Sequence, residues 1–225
     1  PERPRLDLRT DVGDLRVLDG DLHQHLLRPD VGVRLGVHRP GPAGALARVP
    51  HVLEQRDKQH DVAVVLVGRL EQDEELRVAV VTGTGDRAFC SGADLKRLIP
   101  LYSGARQPED EWDRRVVEMR KSGRGGFMKD RIVAKPVITA INGIAYAGGC
   151  ELVLASDIRI ASTTAKFALP EAQLGIVPGA GSIVRLPRQI PYCLAMELMM
   201  TGRVFSAQEA LAAGMINRVV EPEAL

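Results

Sequence analysis

The chain has 225 residues, 45% hydrophobic and 26% charged, with a formal net charge of +1. That length allows one domain, or one and a half, with a sizeable core. The near-neutral balance, without a basic stripe interleaved with aromatics, argues against a nucleic-acid surface. No apolar run reaches the length of a membrane span, no signal-peptide pattern opens the chain, and the three cysteines (Cys90, Cys150, Cys193) are odd in number and lack metal spacing; the expectation is a reduced, cytoplasmic protein with incidental thiols and no metal.

Residues 1–76 differ in composition from the rest. They contain no Phe, Trp, Tyr, Ile, Ser, Asn, Cys or Met, a single lysine (Lys58) and all five histidines. His23 and His25 suggest a metal pair but lack a third ligand at convincing spacing. Strand alternation is poor, and Pro40, Pro42 and Pro50 interrupt any helical period. Asp61 to Leu76 reads as a helix with an acidic end. Translation from a shifted frame of GC-rich DNA would explain the missing residue types, and resequencing the gene to find an intact frame would remove that idea. The chain is accordingly divided into an atypical segment, residues 1–76, and a well-formed domain, residues 77–225.

From Arg77, RVAVVTG reads as a buried strand ending at a turn. Gly83, Gly85 and Ala88 fit the G-x-G-x-x-G/A dinucleotide fingerprint, but the passage after them is turn-rich and the acidic residue about 20 positions on is missing. There is no Walker A motif and no G-x-S-x-G elbow, and no histidine follows His60, which excludes a Ser-His-Asp triad in this half. Residues 97–134 form a polar connection. Within it, Pro108 to Gly123 has helical character with acids early and bases late, and Trp112, Val116 and Met119 form its candidate buried stripe.

Lys135 to Ser182 is the chemical heart of the sequence. Val137 to Ile141 reads as a buried strand, broken by Asn142-Gly143. Gly148-Gly149-Cys150-Glu151 then opens an apolar helix, where unpaired N–H groups and the positive dipole end suit an anion or a developing oxyanion. DIRIA (Asp157 to Ala161) and KFAL (Lys166 to Leu169) read as strands joined by a hairpin-type connection. Pro170-Glu171 and the glycines 175, 179 and 181 follow. Only three carboxylates occur here: Glu151, Asp157 and Glu171. Asp157 stands at a helix-to-strand junction and takes a structural role. Glu151 is either a reacting group or an ordinary first-turn acid; Glu171 is either a reacting group or an ordinary loop or helix-start residue.

After Ser182 the chain is helical. IVRLPRQI is interrupted by Pro187, Cys193 to Gly202 ends at a glycine cap, and Ser206 with Glu209 forms a capping box for a helix ending at Gly214. MINRVV reads as a short strand, and the sequence stops at Leu225, partway into a new element.

These passages together resemble the crotonase superfamily, the enoyl-CoA hydratase/isomerase family. The similarity rests on RVAVVTGTGDRAFCSGADLK, KPVITAINGIAYAGGCELVLASDIRIAS, AKFALPEAQLGIVPGAGSIVRLP and TGRVFSAQEALAAGMINRVV, in the family's order and over about two-thirds of the chain. The resemblance implies an α/β, crotonase-like spiral of stacked ββα turns with C-terminal helices that stop short at Leu225. It implies an acyl-CoA thioester as substrate, with coenzyme A as part of the substrate and no separate cofactor. The backbone N–H groups of Ala93 and Gly148 would form the oxyanion hole, and Glu151 and Glu171 would be the two catalytic glutamates. Asp94, Leu95, Lys96, Gly149 and Gly179 would be substrate-binding positions. Retention of both glutamates favours hydration or dehydration over isomerisation.

FALPEAQLGIVPGAG followed by RLPRQIPY also resembles the carnitinyl-CoA dehydratase-like branch, so the acyl group is expected to be unusual or branched. Tyr102, Trp112, Phe127 and Met128 are candidate acyl-pocket residues. A homotrimer or dimer of trimers is expected if the fold is complete, and an inactive, incomplete domain is the alternative.

Overall fold

The computed structural model describes residues 33–40, 46–48, 70, 74, 76–122 and 133–225. Strand β1 (Val33–Pro40) and β2 (Leu46–Arg48) precede β3 (Ala79–Gly83) and β4 (Ala88–Cys90). Helices α1 (Leu95–Ser103) and α2 (Glu111–Ser122) follow. Then come β5 (Val137–Ile141), β6 (Ile144–Tyr146), α3 (Gly148–Ala155), β7 (Ile158–Ser162), β8 (Lys166–Ala168) and a 3-10 turn (Pro170–Leu174). The chain closes with α4 (Ser182–Gln189), α5 (Tyr192–Thr201), β9 (Phe205–Ser206), α6 (Ala207–Ala212), β10 (Arg218–Val220) and a 3-10 turn (Pro222–Ala224).

The pairs β3–β4, β5–β6 and β7–β8 each send one strand to each of two sheets. One sheet runs β10-β7-β5-β3-β1-β2 and the other β4-β6-β8-β9. Within the first, β3, β5, β7 and β10 are parallel, with Ala79 opposite Val137 and Ile138 opposite Ile158. In the second, β4, β6 and β8 are parallel, with Ile144 opposite both Ala88 and Lys166. Alternation along β3 and β5 buries every second residue, as a half-buried strand requires. Phe89, Leu154, Phe167, Leu169 and Leu186 are fully buried in the shared core, and the Phe167 and Phe205 rings stack with centroids 5.5 Å apart. Full burial of such a side chain is worth about 1.5–3 kcal/mol.

Four sequence expectations change. The β7–β8 connection is not a hairpin: β7 pairs with β5 and β10, whereas β8 pairs with β6 and β9. The Ser162 and Thr164 hydroxyls share a hydrogen bond of 2.8 Å and Ala165 N–H closes on Ser162 O, a turn that redirects the chain to the other sheet. The passage read as turn-rich after β3 contains a strand, β4, and, as the sequence argued, Gly83, Gly85 and Ala88 open no helix. Leu95–Ser103 is helical despite Pro100 within it, because Asp94 caps it by accepting from the N–H groups of Lys96 and Arg97. Residues ahead of position 77 join the sheet, since β1 pairs antiparallel with β3, Val33 opposite Gly83.

Asp157 has the structural role expected of it, its Oδ2 accepting the Val137 N–H at 2.8 Å. The Ser206–Glu209 capping box also forms. The expected helix over Asp61 to Leu76 lies outside the described residues except Leu70, Glu74 and Leu76. His23, His25, Phe127 and Met128 lie outside them too, as do the side chains of Trp112 and Met119. Among the described residues no helix is long and apolar enough to cross a membrane.

Candidate active site

Two loops carrying the expected oxyanion donors meet at the top of the second sheet. β6 leads through Ala147 into α3, and Ala147 has φ 49° and ψ −122°, a backbone state that an alanine rarely adopts. Such a residue costs about 1–3 kcal/mol and persists only when its surroundings over-determine it. Here Ala147 N–H donates to Ala168 O and its carbonyl accepts from Glu151 N–H, each at 3.0 Å. Gly148 is the first residue of α3, where a helix leaves its N–H without an intrahelical acceptor.

The other donor, Ala93 N–H, belongs to the turn between β4 and α1. Gly92 in that turn has φ 93°, and a β-carbon there would lie 3.0 Å from Ala147 Cβ and 3.3 Å from Gly148 N. The Gly92–Ala93 turn and the α3 N-terminus are therefore in contact. Asn142 fixes the supporting corners: its Oδ1 accepts Gly83 N–H at 2.9 Å, and its Nδ2 donates to Gly85 O at 2.8 Å and Ala88 O at 3.3 Å. One side chain thereby ties the β3–β4 turn, upstream of Ala93, to the β5–β6 turn, upstream of Gly148.

Glu151 is buried on the first turns of α3, 4% exposed, and Glu171 is buried in the 3-10 turn, 6% exposed. Glu151 Oε1 accepts three donors: Ala180 N–H at 2.7 Å, Ser182 Oγ–H at 2.8 Å and Ser182 N–H at 3.2 Å. The Arg185 guanidinium lies within the field of Glu151, and it donates to Ala180 O at 3.3 Å, steadying the peptide between the two N–H donors.

Glu171 lives in a different environment. Burial pushes its pKa up to about 7, its own backbone N–H pulls the other way, and the Glu151 charge adds to the rise. Its Oε2 is buried with no hydrogen-bond partner. Two carboxylates within each other's field thus differ sharply, one saturated with donors and one starved of them.

The remaining expected positions separate by what their atoms do. Asp94 spends its carboxylate on capping α1, while Lys96 is exposed and Leu95 half-buried. Gly149 is a packing position: a β-carbon there would lie 1.9 Å from Cys90 O. Gly179 is exposed, and a β-carbon there would meet only Val177 O at 3.6 Å, an ordinary contact. Tyr102 on α1 is 38% exposed.

Sequence reasoning missed Ser182, Arg185 and Asn142. Ser182 is a hydroxyl at a helix start, a pattern that signals a cap, but the group it serves comes from another helix.

This geometry has counterparts. The family profile described as enoyl-CoA hydratase/isomerase matches residues 59–225. A carnitinyl-CoA dehydratase of Proteus mirabilis (strain HI4320) is 45% identical over 161 residues, covering 72% of this chain and 57% of the relative. One from Citrobacter koseri is 42% identical over 153 residues, 68% of this chain and 54% of the relative. The chain therefore spans little more than half the length of these curated relatives. Among solved structures, a carnitinyl-CoA dehydratase from Mycobacterium avium 104 aligns with TM-score 0.61 at 35% identity, over 73% of this chain and 61% of that one. An enoyl-CoA hydratase from Bacillus anthracis aligns with TM-score 0.60 at 39% identity, over 72% and 59%. The paired sheets, the buried glutamates and these matches agree: the chain belongs to the enoyl-CoA hydratase/isomerase family.

Proposed function

We propose that this chain is a hydratase-like lyase that adds water to, or removes it from, an acyl-CoA thioester. The observation that supports this most is the contrast between Glu151, which accepts three donors, and Glu171, which is desolvated, beside the adjoining Gly92–Ala93 and Gly148 backbone.

In the hydration direction, Glu151 takes a proton from water as its oxygen bonds to C3 of the enoyl group. The C2–C3 π electrons move onto the thioester, giving an enolate. Ala93 N–H and Gly148 N–H hold that oxygen, an interaction whose removal typically costs about 10²–10³ in rate. Glu171, whose pKa near 7 keeps a large protonated fraction at neutral pH, delivers its proton to C2. The cycle closes when the proton on Glu151 is returned to Glu171 through solvent. Nothing in these steps calls for a cofactor beyond the coenzyme A of the substrate, whose remote binding energy holds the acyl group in place.

The carnitinyl-CoA dehydratase names of the relatives favour, as a second reading, a trimethylammonium-bearing acyl group reacting by the same chemistry. A homo-oligomer, trimer or dimer of trimers, in the cytoplasm belongs to the same proposal. Exposed apolar residues on α4 and α5 (Ile183, Val184, Met200) are in keeping with subunit contacts.

The test is loss of enoyl-thioester absorbance from crotonyl-CoA, and dehydration of carnitinyl-CoA, by the chain beside Glu151→Gln and Glu171→Gln. Each variant is expected to lose about 10²–10⁴ in kcat. Activity surviving in Glu151→Gln would sink the two-glutamate mechanism in favour of a single-carboxylate isomerase.

A further inference from the structure

We propose that Ser182 is a positioning residue for Glu151: its hydroxyl fixes the carboxylate's orientation and holds it ionised as the base that activates water. The inference rests on the hydratase reading for what Glu151 does, and on the Ser182–Glu151 hydrogen bond for what Ser182 does to it.

Ser182 is fully buried at the start of α4, with no solvent to satisfy its hydroxyl. Two acceptors are within reach, Glu151 Oε1 at 2.8 Å and Pro178 O at 3.3 Å. A hydroxyl has one proton, and a carboxylate at the shorter distance takes it, because hydrogen bonds to an ionised acceptor are about twice as strong as neutral ones. The Ala180 and Ser182 N–H groups would be supplied by almost any residue in this loop. The Oγ–H is supplied only by serine or threonine, so it is the part of the donor set that the side chain at 182 decides.

Pro178 O gives the hydroxyl a second resting place. When Glu151 takes the proton from water it becomes a poorer acceptor, and Ser182 can turn to Pro178 without being left unpaired. The donation is thereby strongest when Glu151 is charged, the condition for a base to be regenerated.

The charged and titratable surroundings are few. Glu171 on the 3-10 turn opposes ionisation of Glu151, and Arg185 on α4 favours it. Cys150 is next to it on α3, and the packed strands β4 and β6 bring only Cys90 and Tyr146. Burial raises all three of these groups, so they stay neutral near pH 7. Arg159 binds the far end of α3, at Leu154 O and Ser156 O.

The experiment titrates Glu151 directly by isotope-edited infrared spectroscopy of chain labelled with ¹³C-carboxyl glutamate, with the Glu151→Gln spectrum identifying its band. Ser182→Ala is expected to move the Glu151 midpoint upward by about one pH unit, and the acidic limb of kcat/KM by the same amount. Ser182→Thr, which keeps the hydroxyl, is expected to restore both. Ser182→Gly also removes the hydroxyl, and replaces Ser182→Ala if that variant does not fold. A merely structural serine would lower the melting temperature without moving the midpoint, and an unmoved midpoint in either variant overturns the proposal. A wild-type chain that titrates as described yet hydrates no enoyl-CoA would instead count against the hydratase reading alone.

Discussion

Gly149 packs so closely on Cys90 that a β-carbon on the glycine would lie 1.9 Å from the Cys90 carbonyl oxygen and 2.7 Å from its carbonyl carbon. The contact is backbone against helix, so no side chain can turn aside to relieve it. Gly149→Ala is therefore expected to drive α3 away from β4 and to cost at least about 1–3 kcal/mol, the scale of overpacking. Gly179→Ala, with its nearest neighbour at 3.6 Å, should melt within a few degrees of the parent. Thermal unfolding of the two variants side by side checks the contrast, and an unperturbed Gly149→Ala melt would refute it.

Glu171 should make stability fall as pH rises. Its folded-state pKa, near 7, is above the ordinary value of 4.5. Below pH 4.5 it is protonated in both states and contributes no penalty; between about 4.5 and 7 the unfolded chain ionises first and gains. Above 7 the penalty is constant, on the order of 3 kcal/mol. Glu171→Gln should thus be more stable than the parent at pH 8 and close to it at pH 4.5. Urea unfolding at the two values measures this, and equal differences at both would show that the group is not desolvated as described.

Asp113 joins α1 to α2. It is fully buried, with Arg97 Nε at 2.9 Å and Arg106 Nη1 at 2.6 Å, and Arg97 also pairs with Asp110. The hydrogen bonds from Arg106, with further help from Glu109 N–H and Arg97, hold its carboxyl well below the usual carboxylate range. The stability it contributes is present above the unfolded pKa and lost only as pH falls through that depressed value. Leu101 and Val116 form a small cluster separate from the main core, so this pair of helices can open by itself. Asp113→Asn is expected to speed amide exchange in α1 and α2 by roughly 10–100-fold while the strands keep their protection. Exchange mapped by peptide or by residue would show it; uniform acceleration would mean that the clamp supports the whole domain.

Asn142 should matter to both proposed oxyanion donors. Asn142→Ala removes three hydrogen bonds between the β3–β4 and β5–β6 corners and leaves Gly83 N–H without its acceptor. A loss of about 1–3 kcal/mol in stability is expected, with kcat falling more than KM rises, since the corners aim Ala93 and Gly148. Asn142→Asp keeps the acceptor and loses the two donated bonds, so it should fall between. Denaturant titration with steady-state kinetics separates the two effects, and a KM-only change would count against the link.

Much of the fold was legible because local rules and the tertiary structure agreed. Val137–Ile141 alternates as a strand must, Ser206 and Glu209 satisfy each other within one turn, and Gly202 closes α5 in the left-handed conformation, with φ 63°. Where they disagreed, long-range pairing won. KFAL looked like the return strand of a hairpin, yet Phe167 lies opposite Ala145 and Phe205, residues far away in sequence. In Val33–Pro40, Val33, Leu35 and Val37 alternate with Arg34, Gly36 and His38 within an otherwise irregular segment, and β3 gives this run an edge to pair with. Leu95–Ser103 was obscured by Pro100, whose cost the Asp94 cap and the α2 contacts offset.

The sequence by itself determined the chemistry available to this protein: two glutamates between Lys135 and Ser182, no histidine after His60, a strand–glycine–helix turn, and motifs in a family's order. These are matters of residue type and spacing, which the chain carries without folding. Only the tertiary structure gave the two glutamates different surroundings. Three donors from a loop 29–31 residues downstream converge on Glu151, while Glu171 is buried with an oxygen left unpartnered. Proton affinity depends on the donors, charges and water around a group, and folding brings those together from parts of the chain that no local pattern connects.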